Sequence, residues 1–159
     1  MDMINISSEN RHLINDFISD HWYSTDIVVR GELVDMTSIA GFAMIEKENI
    51  IGLITYRIID RECEIMSIDS LKEKQGIGSL LIQKIKEVAI NQKCTKLKLI
   101  TTNDNIDAIY FYQRRGFDMV TFYYDSIKAS RILKPSIPEL GYHNIPLKHE
   151  IEFAMNLNI

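Results

Sequence analysis

The chain has 159 residues, of which 46% are hydrophobic and 25% charged, and its formal net charge at pH 7 is −4. This length and composition are typical of an ordinary globular protein with one domain, so we expect a single domain over residues 1–159. The negative charge disfavours nucleic acid as the main partner. No apolar run approaches the roughly 20 residues that cross a bilayer, which disfavours a membrane protein.

The N-terminal residues MDMINISSEN are polar and slightly acidic, unlike a secretory signal or a transit peptide. Cys63 and Cys94 have neither the number nor the spacing of a disulfide framework or a metal site. We therefore expect a cytoplasmic protein with two buried thiols and no metal.

Charge is distributed unevenly along the chain. Residues 1–70 carry 13 Asp/Glu and 5 Lys/Arg, a net charge of −8, whereas residues 72–98 carry 7 Lys and 2 Glu, a net charge of +5. A basic segment suits a phosphate-bearing ligand. The same lysines would also serve as the solvated face of a helix, and both interpretations stay open at this point.

The first half of the chain predicts one helix and then an antiparallel meander. Hydrophobic residues at helical spacing predict a helix over residues 8–20. Segments rich in β-branched residues predict strands at 26–34, 41–47, 49–59 and 63–69. The breaks at Glu48-Asn49 and at Asp60 to Glu62 are typical of hairpin turns.

From Gly76 onward the pattern alternates between helix and strand. Hydrophobic residues on one face predict a helix from Gly76 to about Asn91. A strand at 96–102, a helix at 105–115 and a strand at 117–125 follow. These lengths predict a βαβ unit whose two strands are parallel, and Gly116 is placed to end its helix in the left-handed conformation.

The C-terminal segment predicts a short helix at 126–133 and then a break at KPSIPELG. Alternating hydrophobic residues from Ile145 to Leu157 predict a final half-buried strand. That strand either completes its own sheet or exchanges with a second copy, which leaves a homodimer open.

The segment KEKQGIGSLLIQKIKEV, residues 72–88, carries two glycines at the mouth of a helix. Backbone N–H groups there lack partners, and the positive end of the helix dipole attracts anions. Gly76 and Gly78 would let a phosphate approach those groups. Leu81 stands where a dinucleotide-binding fingerprint needs a third glycine. The turn is a candidate phosphate cradle, with a tight turn that binds no ligand as the alternative.

Two segments together resemble the acetyl-CoA-dependent GNAT-type N-acetyltransferase family. They are SIDSLKEKQGIGSLLIQKIKEVA and TTNDNIDAIYFYQRRGFDMV, the latter matching the family spacing N-x-x-A-x-x-F-Y-x-x-x-G-F from Asn105 to Phe117. The resemblance covers residues 42–122, and KPSIP near the C-terminus resembles a bacterial subgroup whose acceptor is not established. Glu73 departs from the family, which usually has Gln or Arg there.

The resemblance implies an α/β fold in which antiparallel N-terminal strands precede a βαβ unit with splayed parallel strands. It implies transfer of the acetyl group of acetyl-CoA to an amine. A small-molecule amine is the first expectation, and acetylation of a protein N-terminus or lysine is the second. An acyl-CoA-binding sensor that has lost turnover is the alternative of another class.

The resemblance also implies the residues of a coenzyme site. The pantetheine arm would lie against the backbone near Met66, Ser67 and Ile68, where an N–H group would polarise the thioester carbonyl. Tyr112 would act as general acid toward the leaving thiolate, or would only pack as a buried aromatic. The remaining coenzyme contacts would come from Lys74, Gln75, Gly76, Ile77, Gly78, Ser79 and Asn105.

Acceptor residues are expected mainly from the N-terminal third. His21 and Trp22 form a polar and aromatic pair that could line a pocket or pack on the core. Arg30 could meet a substrate carboxylate or pair with Glu32. Glu64, beside the expected reaction centre, is a candidate base or an ordinary strand residue. The acidic first 70 residues favour a cationic amine.

Overall fold

The protein was analysed as a computed structural model, which describes residues 1–22, 26–72 and 75–157, with Trp22 described by its backbone alone. The chain separates into two compact units. The first comprises Met1–Asp26, Asp35–Leu97 and Leu157–Ile159, and the second comprises Ile27–Val34 and Lys98–Asn156. A single domain stays a prediction.

The helices and strands follow one another in the predicted order, and the structure adds strands and a 3-10 turn that the sequence did not predict. The strands are β1 (Asp2–Asn5), β2 (Asp26–Val29), β3 (Glu32–Asp35), β4 (Ala40–Glu46), β5 (Asn49–Ile59), β6 (Glu62–Ser70), β7 (Lys96–Thr102), β8 (Asp118–Tyr123) and β9 (Glu150–Asn156). The helices are α1 (Arg11–Trp22), α2 (Ile77–Asn91), α3 (Ile106–Arg114) and α4 (Ser126–Leu133), with a 3-10 turn at Tyr142–Asn144.

The first unit contains the predicted antiparallel meander, in the order β1-β4-β5-β6. Two-residue turns join its longer strands, and both residues of each turn have positive φ: Lys47 and Glu48 in one, Asp60 and Arg61 in the other. Such turns match the right-handed twist of a hairpin. The prediction that placed the first turn at Glu48-Asn49 is therefore wrong by one residue.

Residues 26–34, predicted as one strand, form a hairpin instead. Strands β2 and β3 pair with each other, and Arg30 and Gly31 make the turn between them with φ of 50° and 74°. Glycine adopts this left-handed conformation without the steric cost of a Cβ. Gly31 was the feature in the sequence that should have divided the segment.

Helix α2 packs on the sheet of the first unit, against β4, β5 and β6. Ile77, Leu81 and Ile85 are buried on its inner face. A Cβ on Gly52 of β5 would come within 2.6 Å of Ile77, so this glycine lets the helix approach the strand closely. The start of α2, where the glycine turn lies, is thereby fixed against β5.

Strand β7 begins in the first unit, where Thr95 N–H donates to the Arg61 carbonyl at 2.8 Å. Strands β6 and β7 thus start side by side and run parallel. In the second unit the order is β7-β9-β8. Asn103 N–H donates to the His149 carbonyl, so β9 runs antiparallel to β7, and β9 is also antiparallel to β8.

The predicted βαβ unit therefore has parallel strands that are not neighbours. Strands β7 and β8 point the same way, but β9 lies between them, because the C-terminal segment returns to pair with both. Strand β9 begins at Glu150 rather than near Ile145, since the 3-10 turn and an isolated bridge between Leu140 and Pro146 occupy the preceding segment. The sequence analysis missed β1.

Candidate active site

The glycine turn, residues 75–79, leads directly into α2. Gly76 is the N-cap with φ of 73°, and a Cβ there would meet no atom of the described residues within 4 Å. The glycine is therefore needed for its left-handed backbone and leaves open space in front of the helix. Gln75 and Gly76 are exposed, and Ile77 points into the core. An anion can reach the N–H groups of the first turn.

One charged side chain next to the glycine turn, Lys72, is paired within the protein. Lys72 forms an ion pair with Glu46, and its hydrogen bond lowers the pKa of the Glu46 carboxyl. Lys72 is thus held by β4 rather than by a ligand. Glu73 and Lys74 lie outside the described residues. The first turn of α2 contains no acidic residue that would repel a diphosphate.

A β-bulge interrupts β6 next to the predicted pantetheine site. Thr55 is opposite Ser67, but the next residue of β5, Tyr56, is opposite Ile65, so Met66 has no partner in the register. A bulge frees backbone groups from the ladder and is common beside active sites. The Ser67 and Thr55 hydroxyls bond to each other at 2.6 Å, so both side chains are engaged within the sheet.

Helix α3 carries the predicted Asn105 and Tyr112. The Asn105 side chain accepts a hydrogen bond from Ala108 N–H at 3.2 Å and caps the helix. This cap is a structural role that the sequence analysis did not assign. Asn105 and Tyr112 lie at the two ends of the same helix, whereas Ser67, Ile68 and the glycine turn belong to the first unit.

The ring of Tyr112 is held from several sides and is only 6% exposed. Its centroid lies 5.7 Å from that of Phe117 and 5.8 Å from that of Phe153. The Tyr112 carbonyl accepts from Phe117 N–H, and Gly116 N–H bonds to the Gln113 carbonyl, the two bonds of a Schellman motif. Gly116 has φ of 89°, so the predicted left-handed helix end is confirmed.

The acceptor candidates of the first unit are engaged within the protein. Glu64, 4% exposed, pairs with Arg57 at 3.2 Å. His21 stacks on Phe17 at 4.0 Å between centroids, and its Nδ1 lies 2.9 Å from the Phe17 carbonyl oxygen. In the folded chain, Glu64 therefore makes an ion pair and His21 packs on its own helix. The side chain of Trp22 lies outside the described residues.

Arg30 lies at the tip of the β2–β3 hairpin and contacts β9. Its backbone N–H donates to Glu150 Oε2 at 3.3 Å, and its Nη1 lies 3.6 Å from Glu152 Oε1. A substrate carboxylate and Glu32 were the expected partners of Arg30, and its contacts with Glu150 and Glu152 were not predicted. Both glutamates sit at alternate positions of a strand whose other face is apolar, and that pattern was their only signal.

Both cysteines are fully buried and unpaired, as predicted. Burial raises the pKa of the Cys63 thiol to about 12 and also raises the pKa of Cys94. The thiolate is the nucleophilic form of cysteine, so neither side chain suits covalent catalysis. No group of three metal-ligating side chains occurs within residues 1–22, 26–72 and 75–157. None of the helices described here is long and apolar enough to cross a membrane.

A model of the acetyltransferase (GNAT) family matches residues 8–117, well over half of the chain. The chain belongs to this family. The resemblance noted in the sequence is confirmed, and so is the α/β fold. As a GNAT acetyltransferase the protein is an enzyme that uses acetyl-CoA as its acyl donor. The open glycine turn and the bulge in β6 fit that coenzyme.

Two proteins of Bacillus subtilis (strain 168) are similar to this GNAT chain. The uncharacterized protein YdhI is 39% identical over 145 residues, covering 91% of each chain. The uncharacterized protein YxbD is 36% identical over 158 residues, covering 99% of each chain. Both similarities extend past residue 117, and the one to YxbD includes β8 and β9, which the family model leaves out.

Solved structures share the fold at low sequence identity. The IAA acetyltransferase from Bacillus cereus ATCC 14579 has a TM-score of 0.69 and 19% identity, covering 98% of this chain and 99% of its own. A GNAT family acetyltransferase from Elizabethkingia anophelis, solved with acetyl-CoA bound, has a TM-score of 0.68 and 20% identity, covering 98% and 97%.

Proposed function

We propose that this GNAT enzyme acetylates a primary amine of a small molecule by direct transfer, with Tyr112 as the general acid. The observation that carries the proposal is the clamped ring of Tyr112, held by Phe117 and Phe153 and by the helix-ending turn at its own carbonyl. A catalytic acid must be held in one geometry to act in the transition state. Packing of this kind supports that role.

In this proposal, backbone groups bind the coenzyme and a side chain transfers the proton. Backbone N–H groups of the glycine turn bind the diphosphate, and the backbone at Met66 to Ile68 polarises the carbonyl that is attacked. Acetyl-CoA supplies the acyl group as an activated thioester. Tyr112 Oη gives its proton to the departing sulfur, at modest cost because a thiol has a pKa of about 8–9 and a phenol about 10. The nitrogen loses a proton to solvent water as the amide forms, and Tyr112 regains one from solvent, so the net products are the amide and the free thiol of coenzyme A.

The buried thiols support direct attack over an acyl-cysteine route. An acyl-enzyme would need a reactive thiolate, and burial keeps both Cys63 and Cys94 protonated. The amine would therefore attack the thioester itself. This order predicts that both substrates must be bound before any product leaves.

The β2–β3 hairpin supports a small acceptor over a protein. The tip of this hairpin contacts β9 through the bond from Arg30 N–H to Glu150. The Glu150 side chain is thereby covered, and the residue is 2% exposed. A protein N-terminus or lysine needs an open groove instead. Acetylation of a protein therefore stays the second candidate, and a cytoplasmic location and a homodimer stay predictions.

Calorimetry followed by a thiol-release assay tests the proposal. We expect acetyl-CoA to bind, and free thiol to appear with small primary amines but not with a panel of unrelated N-terminal peptides. Binding without thiol release for any acceptor would favour the sensor, and release with peptides alone would favour a protein acetyltransferase. A steady-state pattern with product release before the second substrate binds would contradict direct transfer.

A further inference from the structure

A pair of carboxylates lies on one face of β9 in the second unit. Glu150 is 2% exposed, and the side chain of Glu152 is 12% exposed. Because side chains alternate along a strand, these two share a face, while Phe153 points the other way and packs on Tyr112 of α3. The pair therefore lies on the face of β9 opposite α3.

Arg30 and Tyr123 complete what we call the carboxylate cluster, with Glu150 and Glu152. The Tyr123 hydroxyl donates to Glu152 Oε1 at 3.4 Å, and burial, together with Glu152, raises the pKa of Tyr123, so the hydroxyl stays protonated. Arg30 contacts both glutamates, through its backbone N–H and its Nη1. Glu150 Oε1, in contrast, has no hydrogen-bond partner within the part of the chain that the structure describes.

The cluster contains more acidic than basic side chains. Within it, two carboxylates face one guanidinium, and one buried carboxylate oxygen is unsatisfied. Burying a polar atom without a partner is costly, and burying a charge without one costs more. A ligand with a cationic N–H group would satisfy Glu150 Oε1 and balance the charge.

We infer that the carboxylate cluster binds a cationic nitrogen of the acceptor, a nitrogen other than the one that is acetylated. The inference rests on the proposed function, which makes an amine the acceptor. A nitrogen held by a carboxylate keeps its proton and has no lone pair with which to attack a thioester. The acceptor class is therefore a diamine, with one nitrogen anchored at Glu150 and the other free to react.

Three acceptors of equal length test this inference. In 1,5-diaminopentane, 5-aminopentan-1-ol and 5-aminopentanoate the far group is cationic, neutral or anionic. We expect kcat/KM to be about tenfold or more higher for the diamine than for the amino alcohol, as for a hydrogen bond between charged groups. The amino acid should be the poorest substrate, because its carboxylate would face Glu150.

The variant Glu150→Gln keeps the shape and removes the charge. We expect it to abolish the diamine preference, so that kcat/KM becomes similar for the diamine and the amino alcohol, while the Kd of acetyl-CoA changes less than about twofold. Glu139→Gln is the matched control, since the Glu139 side chain in the same unit is 86% exposed. Glu152→Gln is a second variant, to be used if thermal unfolding shows that Glu150→Gln does not fold.

Calorimetric binding of 1,5-diaminopentane gives a readout that does not need turnover. Diamine binding that Glu150→Gln weakens about tenfold would support the inference even if no acceptor were acetylated, and the proposed function alone would then fail. Acetyl transfer with the same preference in the wild type and in Glu150→Gln would overturn the inference and leave the proposed function intact. Failure of the wild type to bind or prefer the diamine would also overturn it.

Discussion

The glycine turn, our proposed coenzyme site, and the carboxylate cluster, our inferred acceptor site, are built in different ways. The glycine turn consists of consecutive residues at the start of α2, with open space beside the left-handed Gly76. The carboxylate cluster instead brings together side chains from the β2–β3 hairpin, β8 and β9, and its Glu150 is only 2% exposed. Main-chain recognition suits a coenzyme that every member of a family shares, whereas side chains can change with the acceptor. The comparison predicts which substitutions affect coenzyme affinity and which affect turnover or acceptor choice.

The largest expected effect comes from removing one hydroxyl. Tyr112→Phe should lower kcat by about ten- to a hundredfold, because the leaving thiolate loses its proton donor. The Kd of acetyl-CoA should stay within about twofold, since the phenol acts only after binding. Single-turnover kinetics would separate the two quantities. Tyr110→Phe is the control on the same helix, where the side chain is 66% exposed, and a fully active Tyr112→Phe enzyme would remove the assigned role.

Adding one methyl group to the glycine turn should weaken coenzyme binding. Gly76→Ala forces a Cβ into a left-handed residue and should raise the Kd of acetyl-CoA about tenfold, the loss of one charge-assisted hydrogen bond. Gly31→Ala is a close match, with φ of 74° against 73° and no described atom within 4 Å of the new Cβ. Calorimetry should find equal losses of stability in the two variants. If Gly76→Ala and Gly31→Ala bound acetyl-CoA with the same Kd, a phosphate site at Gly76 would be contradicted.

Removing a side chain beside the bulge should leave coenzyme affinity unchanged. Ser67→Ala deprives the buried Thr55 hydroxyl of its partner and should lower the free energy of unfolding by about 1 kcal/mol. The Kd of acetyl-CoA should not change, since the backbone makes the contact. Urea denaturation and calorimetry measure both, with the exposed Ser136→Ala as control. A large rise in Kd would show that the hydroxyl itself binds the coenzyme.

Modifying the cysteines should have the smallest effect on activity. At pH 8 about one tenth of thiols with a pKa of 9 are ionised, but for Cys63, whose pKa burial raises to about 12, the fraction is about one in ten thousand. Iodoacetamide should leave the native enzyme active and should label the urea-unfolded chain far faster. Rapid inactivation together with labelling of Cys63 would contradict this.

The raised pKa of Cys63 also makes stability depend on pH at the alkaline end. The unfolded thiol loses its proton above about pH 9, whereas the folded thiol keeps it until about pH 12. The folding equilibrium constant should therefore fall by up to about tenfold per pH unit as the pH rises through this window. The Cys63→Ser variant should show a shallower decline.

The family and most of the fold could be predicted from the sequence because their determinants are local, and the coenzyme residues stay a prediction. Glycine spacing, helical periodicity and the motif from Asn105 to Phe117 each lie within a few turns of chain. The insertion of β9 between β7 and β8 could not be predicted, since it depends on how a distant segment pairs. The carboxylate cluster was missed for the same reason, because Arg30 and Glu150 are 120 residues apart.

The turn at the β2–β3 tip allows acceptor preference to diverge with little structural penalty. The bond that seats the hairpin comes from the main chain of Arg30, so a replacement that has a backbone N–H and tolerates the left-handed φ of 50°, which excludes proline and β-branched residues, keeps the anchor. The guanidinium meanwhile sets the charge opposite Glu152. Where the carboxylate cluster holds the acceptor, as we infer, a single codon change at position 30 would alter the charge beside the acceptor and leave the glycine turn as it is.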